Sequence, residues 1–562
     1  MASTAAAKRP NFLIVIADDL GFSDTSPYGA EIHTPTLQKL ADDGIRMTNF
    51  HTAPACSPTR SMLLSGTDHH IAGLGQLAEA MARYKDPSFF KDKPGYEGYL
   101  NFRVAALPEI LKAGGYHTIL SGKWHLGMKK EHSPHARGFE KVFAFMAGAG
   151  NHYNYEPQFD DTRYKLPFKG SLWMEDDRFI DRKTEIPEDF YSTTYTTQRM
   201  LDFLKGRTEE DKEKPFFAYL SYLAPHWPLQ APKEKLQKYT GQYDDGPDKL
   251  GEKRVRRLKD LGLVPEDVVP AQPEGWNIDT NWEGLTDQER AESARKMEVY
   301  SGMVDAMDEG IGRVIDHLES TGELDNTFVL FMSDNGAEGV MLEALPVMGT
   351  ESSMADVINT FYDNSLDNIG SKSSFTWYGP HWASAATAPS RGWKAWPTEG
   401  GIRCPCIVRY PGFENAPGAI THAFTTVMDI LPTVLDLAGV QHPGKTFMGR
   451  EIEAVRGKSW VSHLGSKGLA SSAVHDPDEH VHGWELVGLR AIRKGPWKAV
   501  WMHPPRGSGK WDLFHVENDP AEAVDMADRD PEKLDELIKL WEVYHAETGI
   551  LNYPYEFNYA KA

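Results

Sequence analysis

The stretch that decides the fold is Phe12-Leu13-Ile14-Val15-Ile16-Ala17, an unbroken apolar run that stops at Asp18-Asp19. A strand with one solvated face alternates apolar and polar residues, whereas a central strand of a parallel sheet is buried on both faces and is apolar throughout. Similar runs occupy residues 116–120, 216–220 and 327–332, and each follows a helical segment and a polar turn. This alternation predicts an α/β fold with a large, mixed but mainly parallel sheet flanked by helices.

The pattern changes toward the carboxyl terminus. Residues 487–492 and 497–501 read as antiparallel strands, and a helix is expected over 531–547. We therefore predict a larger α/β domain over residues 1–460. A smaller α+β domain, with an antiparallel sheet and a terminal helix, is predicted over 461–562.

Composition limits the classes of partner. The 562 residues carry a net formal charge of −21, which argues against a nucleic-acid partner, since such proteins present a basic surface. An anionic substrate stays compatible with this charge, because local cations can dominate a pocket. Three cysteines are too few for a disulfide framework, and Cys404-Pro405-Cys406 is expected in a buried strand.

The beginning of the chain predicts a location. It lacks a positively charged start followed by an apolar run, and the run at residues 12–17 is too short to span a membrane. No Asn-x-Ser/Thr glycosylation acceptor occurs in the sequence. We therefore expect a cytoplasmic protein with no membrane partner.

Two long segments carry no candidate catalytic or ligand-binding pattern. Residues 233–292 are rich in Lys, Asp and Glu and are expected to form solvated helices and loops. The segment that follows has apolar residues at helical spacing, which is typical of a helix packed on a core. These residues are Met297, Tyr300, Val304, Met307, Ile311, Val314, Ile315 and Leu318.

Polar side chains with oxygen atoms follow two of the predicted strands. Asp18 and Asp19 come after the first strand, and Asp334 and Asn335 come after the strand that ends near Met332. Ligands of open α/β sheets commonly bind at these carboxyl ends. Carboxylate and amide oxygens suit Ca²⁺ or Mg²⁺ and not zinc. The alternative is that Asp-Asp caps a helix and that Asp-Asn-Gly is a tight turn.

Several lysines and histidines are also candidate functional residues. Lys123 and His125 follow the strand through Leu120, and extended backbone would point both side chains to one side. His226 lies between two prolines after the strand at 216–220, and Lys394 lies between two tryptophans. Each is alternatively a surface residue or a satisfied structural one; a lysine beside tryptophan commonly packs only its stem.

The pentapeptide Cys56-Ser57-Pro58-Thr59-Arg60 precedes a predicted helix. Pro58 suits the first turn of a helix, which would put residue 56 at the positive end of the helix dipole. Arg60, four residues on, would share a face with residue 56. The alternative is a surface cysteine in a polar turn.

These motifs together resemble the type I sulfatases of the alkaline phosphatase superfamily. Cys56 to Arg60 resembles the first signature of the family, and Gly115-Tyr116-His117-Thr118-Ile119-Leu120-Ser121-Gly122-Lys123-Trp124-His125 resembles the second. The similarity extends from residues 9–12 into the carboxy-terminal domain and is greatest toward soluble bacterial-type arylsulfatases. It implies an alkaline-phosphatase-like fold and a sulfuric ester hydrolase that releases sulfate from aryl, or alkyl, monoesters.

The resemblance also implies the roles of the residues. Cys56 would be oxidised to Cα-formylglycine, whose hydrate attacks sulfur and forms a covalent sulfoenzyme. Ca²⁺, in preference to Mg²⁺, would be held by Asp18, Asp19, Asp334, Asn335 and residue 56. His226 would be the general acid, and His125 the base that expels sulfate. Catalytic roles fall to Cys56, Arg60, Lys123, His125, His226 and Lys394, with sulfate contacts from Arg60, Lys123, His226 and Lys394.

Several alternatives stay open from the sequence. One is a phosphate or phosphonate monoester hydrolase of the same superfamily, and another is an anion-binding relative in which Cys56 stays a thiol. The expected partners are a small sulfate ester and, transiently, a formylglycine-generating system. Aromatic residues could line an apolar mouth for the substrate or could belong to the core. They are Trp377, Tyr378, Trp382, Trp393 and Trp396.

Overall fold

The computed structural model describes residues 8–84, 86–161, 172–273, 282–339, 354–414, 417–467, 469, 473–504 and 507–552. The strands within these ranges are β1 Asn11–Ala17, β2 Ile45–Met47, β3 Phe50–His51, β4 His117–Lys123, β5 Lys141–Phe145, β6 Trp173–Glu175, β7 Arg178–Ile180, β8 Phe216–Ser221, β9 Thr327–Ser333, β10 Cys406–Arg409, β11 Ala419–Thr421, β12 Thr425–Thr426, β13 Thr446–Phe447, β14 Arg450–Glu451, β15 Val481–Leu486, β16 Leu489–Lys494, β17 Trp497–Trp501 and β18 Trp511–His515. The α-helices are α1 Pro35–Asp42, α2 Cys56–Ser65, α3 His69–Ala72, α4 Ala78–Arg83, α5 Leu107–Ala113, α6 Ser192–Lys205, α7 Glu209–Glu213, α8 Lys233–Gln237, α9 Pro247–Asp260, α10 Asp287–Ser320, α11 Met354–Phe361, α12 Pro380–Thr387, α13 Glu399–Ile402, α14 Ile430–Ala438, α15 Val461–Leu464 and α16 Pro531–Thr548.

A ten-stranded sheet forms the centre of the fold, in the order β11-β2-β10-β9-β1-β8-β4-β5-β6-β7. The five neighbours β9, β1, β8, β4 and β5 are mutually parallel, and antiparallel pairs occur toward both edges. The predicted α/β class with a mixed, mainly parallel sheet is therefore confirmed. Cys404 and Cys406 are fully buried, as expected; Cys406 begins β10, whereas Cys404 precedes the strand.

Both faces of β1 are covered, which explains its unbroken apolar sequence. Leu13, Val15 and Ala17 belong to one core cluster, together with residues of α1, α6, α9 and α10. Phe12, Ile14 and Ile16 alternate with them and belong to a second cluster with residues of α2, α5 and α14. The whole predicted stripe of α10 is buried in the first cluster, so the helix is a core element as the spacing indicates.

The parallel strands end level with one another, which brings their following residues together. Ala17 pairs with Ser333 across β1 and β9, and Ser221 of β8 pairs with both Ile16 and Gly122. The carboxyl ends of β9, β1, β8 and β4 therefore form one continuous edge. This edge is where open α/β sheets bind ligands.

A four-stranded antiparallel sheet, β15-β16-β17-β18, lies near the carboxyl terminus, with α16 packed against it. Its other face joins the main core, where Trp484 of β15 donates its indole N–H to the carbonyl of Thr52 at 2.9 Å. The antiparallel sheet and terminal helix match the sequence analysis. The boundary between residues 460 and 461 stays a prediction.

The charged segment differs from its prediction in one respect. Arg254 of α9 is fully buried and forms ion pairs with Asp24 at 2.5 Å and with Glu31 at 2.9 Å. The segment forms helices and loops as expected, and Arg254 is an exception to the expected solvation, because charge composition does not reveal where a buried partner lies. Among the described helices, none is both long and apolar enough to cross a membrane.

Candidate active site

The oxygen-bearing residues predicted from the strand ends lie together. Asp18 and Asp19 follow β1, and Asp334 and Asn335 follow the neighbouring strand β9; all four are buried. The Asp19 backbone N–H donates to Asp334 Oδ1 at 3.2 Å, and Asn335 Nδ2 donates to Asp19 Oδ1 at 2.7 Å. Asp19 has a φ of 66°, an uncommon conformation that turns the chain sharply after the strand.

This oxygen set fits a hard divalent cation. Asn335 Oδ1 is buried and has no hydrogen-bond partner among the residues that the structure describes, although buried acceptors are normally paired. Burial and the neighbouring Asp334 and Asp19 carboxylates hold the pKa of Asp18 above its usual range, despite the opposing effect of Lys123. An unpaired amide oxygen beside crowded carboxylates is the donor chemistry that Ca²⁺ or Mg²⁺ prefers.

Cys56 is the first residue of α2 and lies against this set. Its Sγ is 3.6 Å from Asp19 Oδ1, and donor atoms of Cys56, Asp18, Asp19 and His226 all lie within 4.8 Å of one another. Burial raises the pKa of the thiol well above its ordinary value, despite the nearby lysines. The Thr59 hydroxyl stabilises the entry to the helix by accepting from the Ala53 N–H at 3.0 Å.

Arg60 is fully buried beside the same carboxylates. Its Nε and Nη2 donate to Asp334 Oδ2 at 2.9 and 2.7 Å, and Nη1 donates to the Lys123 carbonyl at 3.2 Å and to Ser221 Oγ at 2.5 Å. The guanidinium thus connects α2 to β9, β4 and β8. Its donors are directed to protein acceptors and orient Asp334.

Lys123, the last residue of β4, donates to both carboxylate oxygens of Asp18, at 2.6 and 2.8 Å. The preceding residue, Gly122, allows β4 to lie close to β8, because a Cβ at that position would stand 1.7 Å from the Ser221 carbonyl oxygen. Its φ of 114° also disfavours any other residue. The close contact of β4 and β8 therefore depends on Gly122.

Lys394 reaches the site from a distant part of the chain. Its Nζ is 2.8 Å from Asp19 Oδ2, 3.1 Å from Glu338 Oε2 and 3.3 Å from His226 Nε2. The loop is fixed by backbone hydrogen bonds from Lys394 to the Ala337 carbonyl, at 3.0 Å, and from the next residue to the carbonyl of Pro54. The loop therefore contacts both the β9 loop and the segment before Cys56.

The hydrogen bonds of His226 define its tautomer. Nδ1 is 2.7 Å from the Trp227 carbonyl, which can only accept, so Nδ1 carries a hydrogen. Burial, together with the Lys394 and Lys123 ammonium groups, holds the pKa of His226 well below its ordinary value. In this neutral ring Nε2 is an acceptor, and it faces the Lys394 ammonium.

His125 differs from the expectation for an extended chain. Its φ of 55° is left-handed, so residues 123 and 125 do not continue one strand face, and that prediction was wrong. His125 Nε2 is 3.1 Å from Glu79 Oε1, whereas Lys123 reaches Asp18. His125 Nδ1 is buried, and no described residue forms a hydrogen bond with it.

Three charged or polar neighbours of the site escaped the sequence analysis. Glu79 on α4 binds His125, Glu338 binds Lys394, and Ser221 binds Arg60. Ser221 and Glu338 adjoin strand ends, and that position could have identified them. Glu79 lies in a short helix whose sequence carries no comparable signal.

An aromatic cluster stands beside His226. The Trp227 ring lies with its centroid 4.6 Å from that of His226 and 5.9 Å from that of Phe375, and Trp377 and Tyr362 pack on the same cluster. The other predicted mouth residues are buried in the main core, which agrees with the alternative interpretation for them. They are Tyr378, Trp382, Trp393 and Trp396.

Cys56, a set of buried carboxylate and amide oxygens and two lysines thus converge at one edge of the sheet. Comparison with known proteins identifies the family: the Sulfatase family model matches residues 10–440. The chain belongs to the sulfatase family, whose members hydrolyse sulfate esters.

Individual relatives agree with this assignment. An uncharacterized sulfatase of Schizosaccharomyces pombe is 52% identical over 98% of this chain and 96% of its own length. The arylsulfatase of Klebsiella aerogenes is 36% identical over 82% of this chain and 92% of its own length. Among solved structures, Ps i-CgsB has a similar fold, with a TM-score of 0.67, 21% identity, and coverage of 98% of this chain and 95% of its own. The predicted alkaline-phosphatase-like fold and sulfuric ester hydrolase class are confirmed.

Proposed function

We propose that the protein hydrolyses aryl sulfate monoesters to a phenol and inorganic sulfate, with residue 56 as the nucleophile after conversion of Cys56 to Cα-formylglycine. The observation that carries this proposal is the convergence of Cys56 with Asp18, Asp19 and His226 within 4.8 Å. Lys123 and Lys394 adjoin this group through their contacts with Asp18 and Asp19, respectively.

Asp18, Asp19, Asp334 and Asn335 are the residues that would hold one Ca²⁺, with residue 56 beside it. The unpaired Asn335 Oδ1 supports this assignment. When bound, the ion would supply positive charge that lowers the pKa of a hydroxyl group and offsets charge on sulfate oxygens.

A cysteine thiol is a poor nucleophile at this position. Thiolates carry the reactivity of cysteine, and burial disfavours the thiolate of Cys56. Formylglycine would instead supply a hydrated aldehyde with two hydroxyl groups, one to attack sulfur and one whose proton loss expels sulfate. This difference supports conversion of Cys56 over direct thiol chemistry.

The remaining residues have separable proposed roles. Lys123 and Lys394 offset the charge on the sulfate oxygens, an electrostatic contribution that is often the largest in catalysis. Lys394 holds the proton that faces His226 Nε2, so the two residues together act as the acid toward the leaving oxygen. His125 is the base, and Arg60 positions Asp334, since its donors already bind protein acceptors.

The aromatic cluster beside His226 supports an aryl leaving group. Trp227 stands next to the acid in the chain and in space, and Phe375 extends the apolar surface. An aromatic ring gains both from burial of apolar area and from ring contacts. A phenol also leaves more readily than an alkyl alcohol, so it depends less on the acid.

The decisive experiment is mass spectrometry of the tryptic peptide over residues 47–60 from protein made in its native host. We expect the mass that corresponds to loss of sulfur and two hydrogens and gain of one oxygen at residue 56. Active protein with an unmodified thiol would overturn the nucleophile assignment. The same preparation should turn over aryl sulfates faster than phosphate or phosphonate monoesters; the reverse preference would favour the phosphatase alternative.

Two further expectations belong to this proposal. Conversion of Cys56 requires a formylglycine-generating system as a transient partner. The cytoplasmic location expected from the sequence stays a prediction, and cell fractionation of the native host would test both by locating converted protein.

A further inference from the structure

The hydrogen-bonded pair of His125 and Glu79 is the feature from which we infer a new role. His125 Nε2 is 3.1 Å from Glu79 Oε1 and 3.4 Å from Oε2. The histidine is largely buried, while the Glu79 side chain is 26% exposed. Glu79 thus links the buried ring to the solvent-exposed surface.

The donor and acceptor chemistry of the pair fixes the ring. An ionised carboxylate can only accept, so His125 Nε2 carries a hydrogen. In a neutral imidazole the lone pair then lies on Nδ1, which is buried and has no partner among the described residues. We propose that Glu79 is a positioning residue that holds His125 in the Nε2–H tautomer, so that Nδ1 is the proton acceptor inside the site.

The loop that follows β5 packs closely against the pair. A Cβ on Gly148, in the loop after β5, would lie 2.7 Å from both Cε1 and Nε2 of His125 and 3.2 Å from Glu79 Oε1. The loop backbone therefore covers the hydrogen bond closely. Burial lowers the pKa of His125, Lys123 and Arg60 act in the same direction, and Glu79 opposes them, which agrees with a neutral ring at rest.

The inference rests on the proposed role of His125 as the base, but its first test does not depend on activity. Nitrogen-15 spectra of histidine-labelled, unconverted Cys56 protein report the tautomer of each ring, and His125→Gln assigns the signal among the 21 histidines. We expect the Nε2–H tautomer in the parent protein and in Glu79→Gln, whose amide oxygen can still accept. Glu79→Ala should populate both tautomers. An Nδ1–H ring in the parent, or an unchanged ring in Glu79→Ala, would overturn the proposal.

The second test uses converted enzyme and separates the two halves of turnover. Glu79→Ala should release phenol in the first turnover at the parent rate, while steady-state turnover falls about 10- to 100-fold, as is typical when the partner of a functional histidine is removed. Glu79→Gln should recover part of this loss. Equal losses in the first turnover and in steady state would contradict a role through His125.

A matched control lies at the other end of β4. His117 Nδ1 is 3.5 Å from Glu140, a histidine–carboxylate pair remote from the strand ends that form the site. Glu140→Ala should leave both phases unchanged; a loss equal to that of Glu79→Ala would overturn the specific role. A parent enzyme that carries formylglycine but lacks sulfatase activity would refute the proposed function, while the tautomer measurement would still decide the role of Glu79.

Discussion

Replacement of His70 by glutamine should make the stability of the protein less dependent on pH. His70 lies in α3, which follows the helix that begins at Cys56. Its Nδ1 is 2.9 Å from Asp68 and its Nε2 is 2.9 Å from Glu485 of β15. Tyr544 of α16 donates to the other oxygen of Asp68 at 2.7 Å. This network joins the nucleophile segment to the carboxy-terminal sheet.

The size of this pH-dependent stabilisation follows from the charge of the His70 ring. Burial disfavours the imidazolium, but the hydrogen bonds to Asp68 and Glu485 outweigh it and raise the pKa of His70 to about 9, against 6.5 for an unperturbed histidine. Because the folded pKa is the higher one, the stabilisation is fully present below pH 6.5 and is lost as pH rises through about 9. At about 1.4 kcal/mol per pKa unit, the difference between the folded and the unfolded pKa of His70 corresponds to roughly 3 kcal/mol in the free energy of unfolding.

Reversible urea unfolding, followed by tryptophan fluorescence from about pH 6 to about pH 10, measures this effect. The stability advantage of the parent over His70→Gln should shrink by roughly 3 kcal/mol across that range, with an unchanged denaturant slope. His117→Gln is the control, because burial lowers the pKa of His117 and leaves it neutral above pH 6.5. Parallel pH curves for the parent and His70→Gln would refute the reasoning.

Three further predictions concern the site. Asn335→Ala should weaken Ca²⁺ binding by about tenfold or more, which corresponds to about 1.4 kcal/mol or more of binding free energy. The reason is the loss of the amide oxygen that has no partner among the described residues, and unchanged affinity in calorimetry would contradict the ligand assignment. Lys394→Met should lower kcat for alkyl sulfates by about 10²–10⁴-fold more than for nitrophenyl sulfate, because both substrates lose the ammonium charge near the sulfate oxygens but only the alkyl alcohol depends strongly on the acid. Equal losses would argue against proton transfer by Lys394. Trp227→Ala should raise KM for aryl sulfates by about tenfold while changing it little for methyl sulfate, because the aryl ring of the substrate loses its apolar contact. Equal changes in KM for both substrates would mean that the leaving group does not bind beside Trp227.

The sequence predicted the parts of the site that depend on local pattern. An apolar run such as residues 12–17 identifies a strand buried on both faces, and parallel strands share one carboxyl edge. Asp18, Asp334 and Lys123 therefore fall together once the strands are aligned. The family resemblance added Lys394, whose spacing alone carries little information.

The partners of these residues could not be predicted in the same way. Arg60 binds Asp334 and Ser221, which belong to two different strands, and the direction of its side chain depends on their register. Glu79 meets His125 only because the backbone turns to a positive φ after β4. Such contacts depend on loop geometry, which residue types alone do not determine.

The charges of the buried site give a physical reason for preferring sulfate to phosphate. Among the residues that the structure describes, four buried carboxylates, those of Asp18, Asp19, Asp334 and Glu338, contact three cations, Arg60, Lys123 and Lys394. This set has an excess of one negative charge, which a divalent cation would turn into an excess of one positive charge. Glu79 is partly exposed and lies outside this buried set. A sulfate monoester carries one negative charge and a phosphate monoester carries nearly two at neutral pH. Because uncompensated charge is costly in a buried site, this balance favours a monoanionic ester over a dianionic one.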